Sequence, residues 1–245
     1  EAKEFMFEEN QIIGRNFARL QLEDDFREFL RWVRQRNVTN QRQGMSQEEI
    51  SGVLQDAGWN FDGREPSQFQ YRNLELLSPY CDAAIFSVPG AGKTVEALAY
   101  SCLNVGRPDG ILVVAPRNAY IAWEREAVEC LGFSSDDLYR AVGSNEELGN
   151  VLMSENPPRI VLVNYHRLTS RIDIFTRYLR HLDRIGRNPV VIFDESHHFK
   201  GGNTFSSAAK QISPFANHRI LLSGTPMPRS IEDLVPQFQA MLPMP

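Results

Sequence analysis

From residue 83 onward the chain alternates short apolar runs with long stretches of helical periodicity. The runs occupy 83–88, 111–115, 138–142, 160–164, 190–193 and 220–223, the third being the weakest. The helical stretches cover about 93–104, 118–131, 144–153, 166–185, 203–212 and 230–241. Most runs are apolar at consecutive positions, the pattern of strands covered on both faces. Strand–helix alternation over this length predicts an α/β fold built on a doubly wound, mainly parallel sheet. Ligands of such sheets sit beyond the carboxyl ends of the strands. The residues that close each run are therefore where chemistry is expected.

The first run leads into Ser87-Val88-Pro89-Gly90-Ala91-Gly92-Lys93-Thr94, followed by Val95, Leu98, Ala99 and Cys102 at helical spacing. Strand, glycine-rich loop and helix form the context in which backbone N–H groups can wrap a phosphate chain. Gly90 and Gly92 place no Cβ in the tight part of the turn. Lys93 is expected to reach the β/γ phosphates of a nucleotide such as ATP, and Thr94 to offer its hydroxyl to Mg²⁺. Ser87 stands where the full pattern has its first glycine.

A second run delivers Asp194 and Glu195 at a strand end, followed by Ser196, His197 and His198. Asp194 is expected to share the Mg²⁺ shell with Thr94, and Glu195 to orient and activate the attacking water. Phosphoryl transfer rests on positioning and charge neutralisation, which is why two carboxylates with separate tasks suit it. The adjacent histidines point in different directions and have no third ligand at metal spacing. His197 is expected to contact the third site and His198 to lie on the surface. That third site is Ser223-Gly224-Thr225-Pro226, where a strand ends in two hydroxyls beside a glycine. Ser223 and Thr225 are expected to link the acidic segment to a moving partner.

The formal net charge of −5 gives no global attraction to nucleic acid, although a local basic strip would suffice. Cys81, Cys102 and Cys130 form no metal-spaced pair, which suits a reducing, intracellular compartment, cytoplasmic or nuclear. No membrane span or signal peptide is expected. A chain that opens on Glu1 and stops at Leu242-Pro243-Met244-Pro245 is expected to be a piece of something longer.

Residues 1–62 are expected to form a helical N-terminal region of unknown role, able to recruit a protein partner, with the α/β lobe covering 63–245. Leu22, Phe26, Phe29, Leu30 and Val33 make one apolar stripe, and Arg27, Arg31, Arg34 and Arg36 lie off it on a face expected to be solvated, with a phosphate-tracking face as the rival reading. Ser46 and Glu49 have capping-box spacing before Ile50, Val53, Leu54 and Ala57, and Gly58 closes that helix. A further helix is expected over about 68–77.

Together, Gly90-Ala91-Gly92-Lys93-Thr94, Asp194-Glu195-Ser196-His197 and Ser223-Gly224-Thr225-Pro226 resemble, in order and spacing, a superfamily-two helicase. Within that superfamily the chain is most similar to the Swi/Snf-like ATPases, which translocate along double-stranded DNA. Val113-Val114-Ala115-Pro116-Arg117-Asn118, Trp123-Glu124-Arg125-Glu126 and Glu232-Asp233-Leu234 favour that branch. The resemblance spans about residues 64–243 and implies a RecA-like P-loop NTPase lobe that uses ATP and Mg²⁺. It implies that Gln70, with Gln68 as a rival, reads the adenine edge. It implies nucleic-acid contacts, double-stranded DNA first among them, at Pro116, Arg117, Asn118, Asn164, Tyr165, His166 and Lys200. In this chain Ser87-Val88-Pro89 replaces the usual acidic lead-in, and Arg229 stands where an asparagine is common.

The resemblance also implies a second RecA-like lobe that contributes an arginine to the ATP site. The lobe alone is then expected to bind ATP weakly and hydrolyse it poorly. Two rival readings keep the same residues: the helicase part of a restriction or other foreign-DNA defence system, and a non-enzymatic nucleotide-binding interaction module.

Overall fold

Among the described residues, four of the six strands are buried along their whole length, as consecutive apolar residues require when helices cover both faces of a sheet. The structure, a computed structural model, describes residues 43–242. The expectations placed on residues 1–42, the Leu22–Val33 stripe and its arginines among them, lie outside the described residues.

The chain runs α1 (Gln47–Asp56), α2 (Phe61–Arg64), α3 (Gln68–Leu77), β1 (Ala83–Ile85), α4 (Lys93–Val105), β2 (Ile111–Val114), α5 (Tyr120–Leu131), β3 (Leu138–Arg140), α6 (Asn145–Leu152), β4 (Ile160–Val163), α7 (Tyr165–Ser170), α8 (Ile172–Arg184), β5 (Val190–Asp194), α9 (Thr204–Ile212), β6 (His218–Leu222) and α10 (Leu234–Met241). The strands form one six-stranded sheet in the order β1-β6-β5-β2-β4-β3, and every pairing is parallel. Ile85 pairs with Leu222 and Leu222 with Asp194, while Phe193 pairs with Val114 and Val114 with Val163. This register lines up the carboxyl ends of β1, β6, β5, β2 and β4 along one edge of the sheet. The weak apolar run at 138–142 becomes β3, an edge strand with its residues partly exposed.

Three details depart from the sequence expectation. The 83–88 run pairs only as far as Ile85, and Phe86 onward leaves the ladder to form the loop. The stretch 166–185 is two helices rather than one, because the Arg171 backbone leaves the helical region at φ −136°, ψ 29°. β6 starts two residues early, at His218. Polar Arg219 is tolerated inside it because its guanidinium pairs with Asp82 at 3.1 Å and its Nε donates to the Ser213 carbonyl at 2.8 Å.

The segment 47–62, expected to belong to an N-terminal appendage, packs into the core of the lobe. Ile50, Leu54, Ala57 and Trp59 are buried in the same apolar cluster as Leu98, Trp123 and the strands. The Ser46–Glu49 capping box starts α1 as the spacing predicts, with Glu49 N–H donating to Ser46 Oγ at 3.3 Å and Ser46 N–H to Glu49 Oε2 at 2.7 Å. Leu54→Ala removes a fully buried side chain and is expected to destabilise the lobe by about 2–5 kcal/mol. Urea denaturation checks this, and an unchanged midpoint would detach α1 from the lobe's core. Among the described residues no helix is long and apolar enough to cross a membrane.

Candidate active site

Within the glycine-rich loop the backbone enters the positive-φ region at its two glycines alone: Gly90 has φ +84° and Gly92 φ +79°, values that side chains rarely adopt. Gly92 caps α4, so Lys93 and Thr94 are the first two residues of a 13-residue helix whose N–H groups point into the loop. Lys93 folds over the loop, its Nζ donating to the carbonyls of Ser87 at 3.1 Å and Val88 at 3.5 Å. Thr94 is half-buried beside it.

Asp194 closes β5 across β6 from this loop. It is only 8% exposed. Its Oδ2 accepts from the Trp123 indole N–H at 2.9 Å and its Oδ1 from the Glu195 N–H at 2.9 Å. Burial raises its pKa above the ordinary range; the Trp123 hydrogen bond and the Lys93 charge act in the opposite sense. Glu195 follows with φ 54°, ψ 48°, the left-handed region, where a non-glycine residue persists only if its surroundings hold it.

What holds it is a run of contacts to the third site. His197 Nδ1 lies 3.1 Å from Glu195 Oε2 and 3.2 Å from Ser223 Oγ. Ser223 Oγ in turn accepts from the Thr225 N–H at 3.1 Å. A Cβ on Gly224 would lie 3.0 Å from Pro89 Cγ, so the third site packs directly on the glycine-rich loop and only glycine fits without a shift. The three segments expected to act together thus meet at one edge of the sheet.

Gln70 is buried, with its amide engaged inside the protein. Its Oε1 accepts from the Ser67 N–H at 2.8 Å, and its Nε2 donates to the carbonyls of Gly92 at 3.1 Å and Ala91 at 3.4 Å. In this structure it braces α3 against the loop, while Gln68 is exposed on the same helix. His198, expected on the surface, is half-buried with its ring 5.6 Å from that of Tyr165, and burial lowers its pKa.

On the neighbouring strand ends, Pro116 precedes a 3-10 turn over Arg117–Ala119, and Arg117 and Asn118 are exposed. Asn164 caps α7 by accepting from the Arg167 N–H at 2.9 Å. His166 is exposed, edge-on to Phe205. Lys200 is half-buried just beyond the acidic segment. Tyr165 corrects the expectation: it is 4% exposed and donates its hydroxyl to the Asp194 carbonyl at 2.6 Å, so it has no surface to offer a nucleic-acid strand.

Several residues of the site went unread in the sequence. Gln237 is fully buried and saturated: Oε1 accepts from Ser196 Oγ at 2.7 Å, and Nε2 donates to the carbonyls of Pro226 at 2.7 Å and Asp233 at 2.8 Å. It bolts the acidic segment to the third site. The available signal was a glutamine one turn from both Leu234 and Met241 on a mostly apolar helix that also carries Gln239. Arg140 and Arg167 bring guanidiniums from the ends of β3 and β4 to the Tyr120 phenol, where Arg117 from the end of β2 also acts. Burial pushes that phenol up to about 12 while these three charges and an Asn164 hydrogen bond oppose it. Arg140 is forked onto Glu124 at 2.6 Å for both bonds, and Arg167 donates to the Gly143 carbonyl while its Nε is buried without a partner.

Glu96, in the first turn of α4, is 1% exposed, and neither carboxyl oxygen has a hydrogen-bond partner. Burial pushes its pKa up to about 7, opposed by the nearby Asn73 amide, which falls short of hydrogen-bond geometry, and by the Lys93 charge. A pKa raised in the fold contributes stability that is complete below the unfolded value near 4.5 and is lost as pH rises through about 7. Glu96→Gln is expected to remove that loss, gaining up to about 3 kcal/mol at pH 8 relative to pH 4.5. Denaturation curves at the two pH values check it, and parallel curves for both proteins would contradict it.

A protein-family profile described as the SNF2-related domain matches residues 27–245. Protein CHROMATIN REMODELING 19 of Arabidopsis thaliana is 29% identical over 163 residues, covering 63% of this chain and 21% of that protein. ATP-dependent helicase FUN30 of Saccharomyces cerevisiae is 27% identical over 158 residues, covering 63% and 13%. The chain thus spans about a fifth or less of the length of these relatives. Among solved structures, the Pyrococcus furiosus Hef helicase domain superposes with a TM-score of 0.56 at 16% identity, over 75% of this chain and 37% of that one. The UvsW helicase of bacteriophage T4 gives 0.55 at 16% identity, over 82% and 67%. At those identities the likeness speaks for the fold, a RecA-like helicase lobe. The parallel sheet, the glycine-rich loop facing Asp194 and the matching profile together place this chain in the SNF2-related domain family, as its first RecA-like lobe.

Proposed function

We propose that this lobe binds and hydrolyses ATP as part of a longer DNA-dependent ATPase that moves along double-stranded DNA. The observation that carries the reading is the meeting of the glycine-rich loop, the Asp194–His197 segment and Ser223–Thr225 at one sheet edge, with Gly224 against Pro89 and His197 between Glu195 and Ser223. Gly90, Ala91 and Gly92 would cradle the phosphates with their N–H groups, and Lys93 would leave its loop carbonyls to neutralise the terminal ones. Thr94 and Asp194 would hold Mg²⁺, which supplies charge neutralisation on the phosphate oxygens. Glu195 would position the attacking water and take its proton, with His197 fixing its carboxylate. Asp194 presents an oxygen donor set and keeps lone pairs beyond those used by Trp123 and Glu195, so it fits a hard cation. Pro89 and Gln70 would shape the nucleotide pocket.

The relatives named as ATP-dependent helicases support this activity. Pro116, Arg117, Asn118, His166 and Lys200 would follow the DNA backbone, with Arg140 and Arg167 extending the strip. Such contacts give affinity without sequence preference. The expected behaviour of the full-length protein is duplex-stimulated ATPase activity and salt-dependent duplex binding. Arg117→Ala and Arg167→Ala should each lower the salt slope of binding by about one. A wild-type protein whose ATPase ignores duplex DNA would sink the proposal. Stimulation by single-stranded nucleic acid in place of duplex would replace its substrate.

A further inference from the structure

We propose that Trp123 and Tyr165 are positioning residues that transmit occupancy of the DNA face to Asp194. This rests on the reading of the lobe as a DNA-dependent ATPase. The two segments facing the nucleic acid each send one buried donor onto the same residue. Trp123, in the first turn of α5 and continuous with the Arg117–Ala119 turn whose Arg117 and Asn118 are exposed, donates its indole N–H to Asp194 Oδ2 at 2.9 Å. Tyr165, between Asn164 and the exposed His166, donates its hydroxyl to the Asp194 carbonyl at 2.6 Å. Both rings are buried, so neither reaches DNA, and each acts through Asp194.

The points of attachment matter. Trp123 grips one of the two carboxylate oxygens, while the Glu195 N–H grips the other. The indole therefore sets the tilt of the carboxylate that would hold Mg²⁺. Tyr165 grips the carbonyl of the peptide joining Asp194 to Glu195, whose backbone lies in the left-handed region at φ 54°, the only non-glycine residue so placed among the described residues. A conformation that Glu195 does not favour by itself has to be imposed from outside, and this bond is one of the contacts that imposes it. Hydrogen bonds weaken steeply with misalignment, so a small shift of α5 or α7 on binding DNA would re-aim both carboxylates. Two routes that begin on separate strand ends, β2 and β4, converge on one residue.

The test uses Trp123→Phe and Tyr165→Phe in the full-length protein, because each keeps a ring in the core and removes only the donor. ATPase turnover is measured with and without saturating duplex, alongside duplex affinity. The expected result is a fall in the ratio of stimulated to basal turnover, roughly tenfold or more for Trp123→Phe, whose lost partner is a charged group, and several-fold for Tyr165→Phe. Duplex affinity should stay within about twofold, since the strip of phosphate contacts is left intact. Equal falls in stimulated and basal turnover would leave the ratio unchanged and overturn the inference. A loss confined to duplex affinity would overturn it as well. Absence of stimulation in the wild type would instead bring down the ATPase reading beneath it, and the inference with it.

Discussion

Glu195→Gln in the full-length protein is expected to lower DNA-stimulated ATP hydrolysis by roughly 10²–10⁴-fold, the range of a lost general base, while leaving ATP binding near wild type. The amide keeps the size of the side chain and can still meet His197, which lies 3.1 Å from the carboxylate. It cannot accept the proton of the attacking water. Lys93→Ala should also stop turnover but by a different route. The ammonium, now on the carbonyls of Ser87 and Val88, would be missing from the phosphates, and removing one preorganised electrostatic donor costs roughly 10²–10³-fold. Nucleotide affinity should fall with it. The two variants are therefore separable by a fluorescent-nucleotide titration beside the ATPase assay. Turnover surviving in either would remove that residue from the mechanism.

A larger effect is expected from adding a second lobe to this chain. In phosphoryl transfer an arginine supplied from outside the nucleotide-binding lobe is worth roughly three to five decades in rate. The 245-residue chain by itself should accordingly turn over ATP slowly, and a longer version carrying a second lobe with such an arginine should exceed it by about that factor. The site as it stands offers lysine, threonine, two carboxylates and the Ser223–Thr225 turn. Arg229, beside that turn, is exposed, and its backbone N–H is bound to Asp233 Oδ2 at 2.9 Å. Single-turnover kinetics of the two versions measure the difference. Equal rates would mean that the described lobe holds the whole catalytic set.

Local signals carried much of this architecture, and long-range partners carried the rest. Gly92 before Lys93 marked the start of α4, because a left-handed turn before a helix selects glycine. Ser46 with Glu49 marked the start of α1 in the same way. The extent of the lobe was less legible: α1 reads as an isolated amphipathic helix until Ile50 and Leu54 are seen in the shared core. Strand β6 looked shorter than it is because Arg219 finds its counter-charge 137 residues away, at Asp82. No glycine or proline announces the break at Arg171. The sequence places Tyr165 beside Asn164 and His166 in a DNA-facing segment because it shows neighbours and not directions; its hydroxyl turns inward to Asp194, 29 residues on. Gln237 was silent for the same reason, its partner Ser196 lying 41 residues earlier.

The claim on which all of this depends is that Lys93 and Asp194 face one nucleotide. A crystal structure of the protein with a non-hydrolysable ATP analogue and Mn²⁺, read by its anomalous signal, tests it most directly. The expected result is a manganese peak against Asp194 and Thr94, with Lys93 moved from the carbonyls of Ser87 and Val88 onto the phosphates. A nucleotide seated away from the 89–94 loop, or a metal touching neither Asp194 nor Thr94, would contradict it.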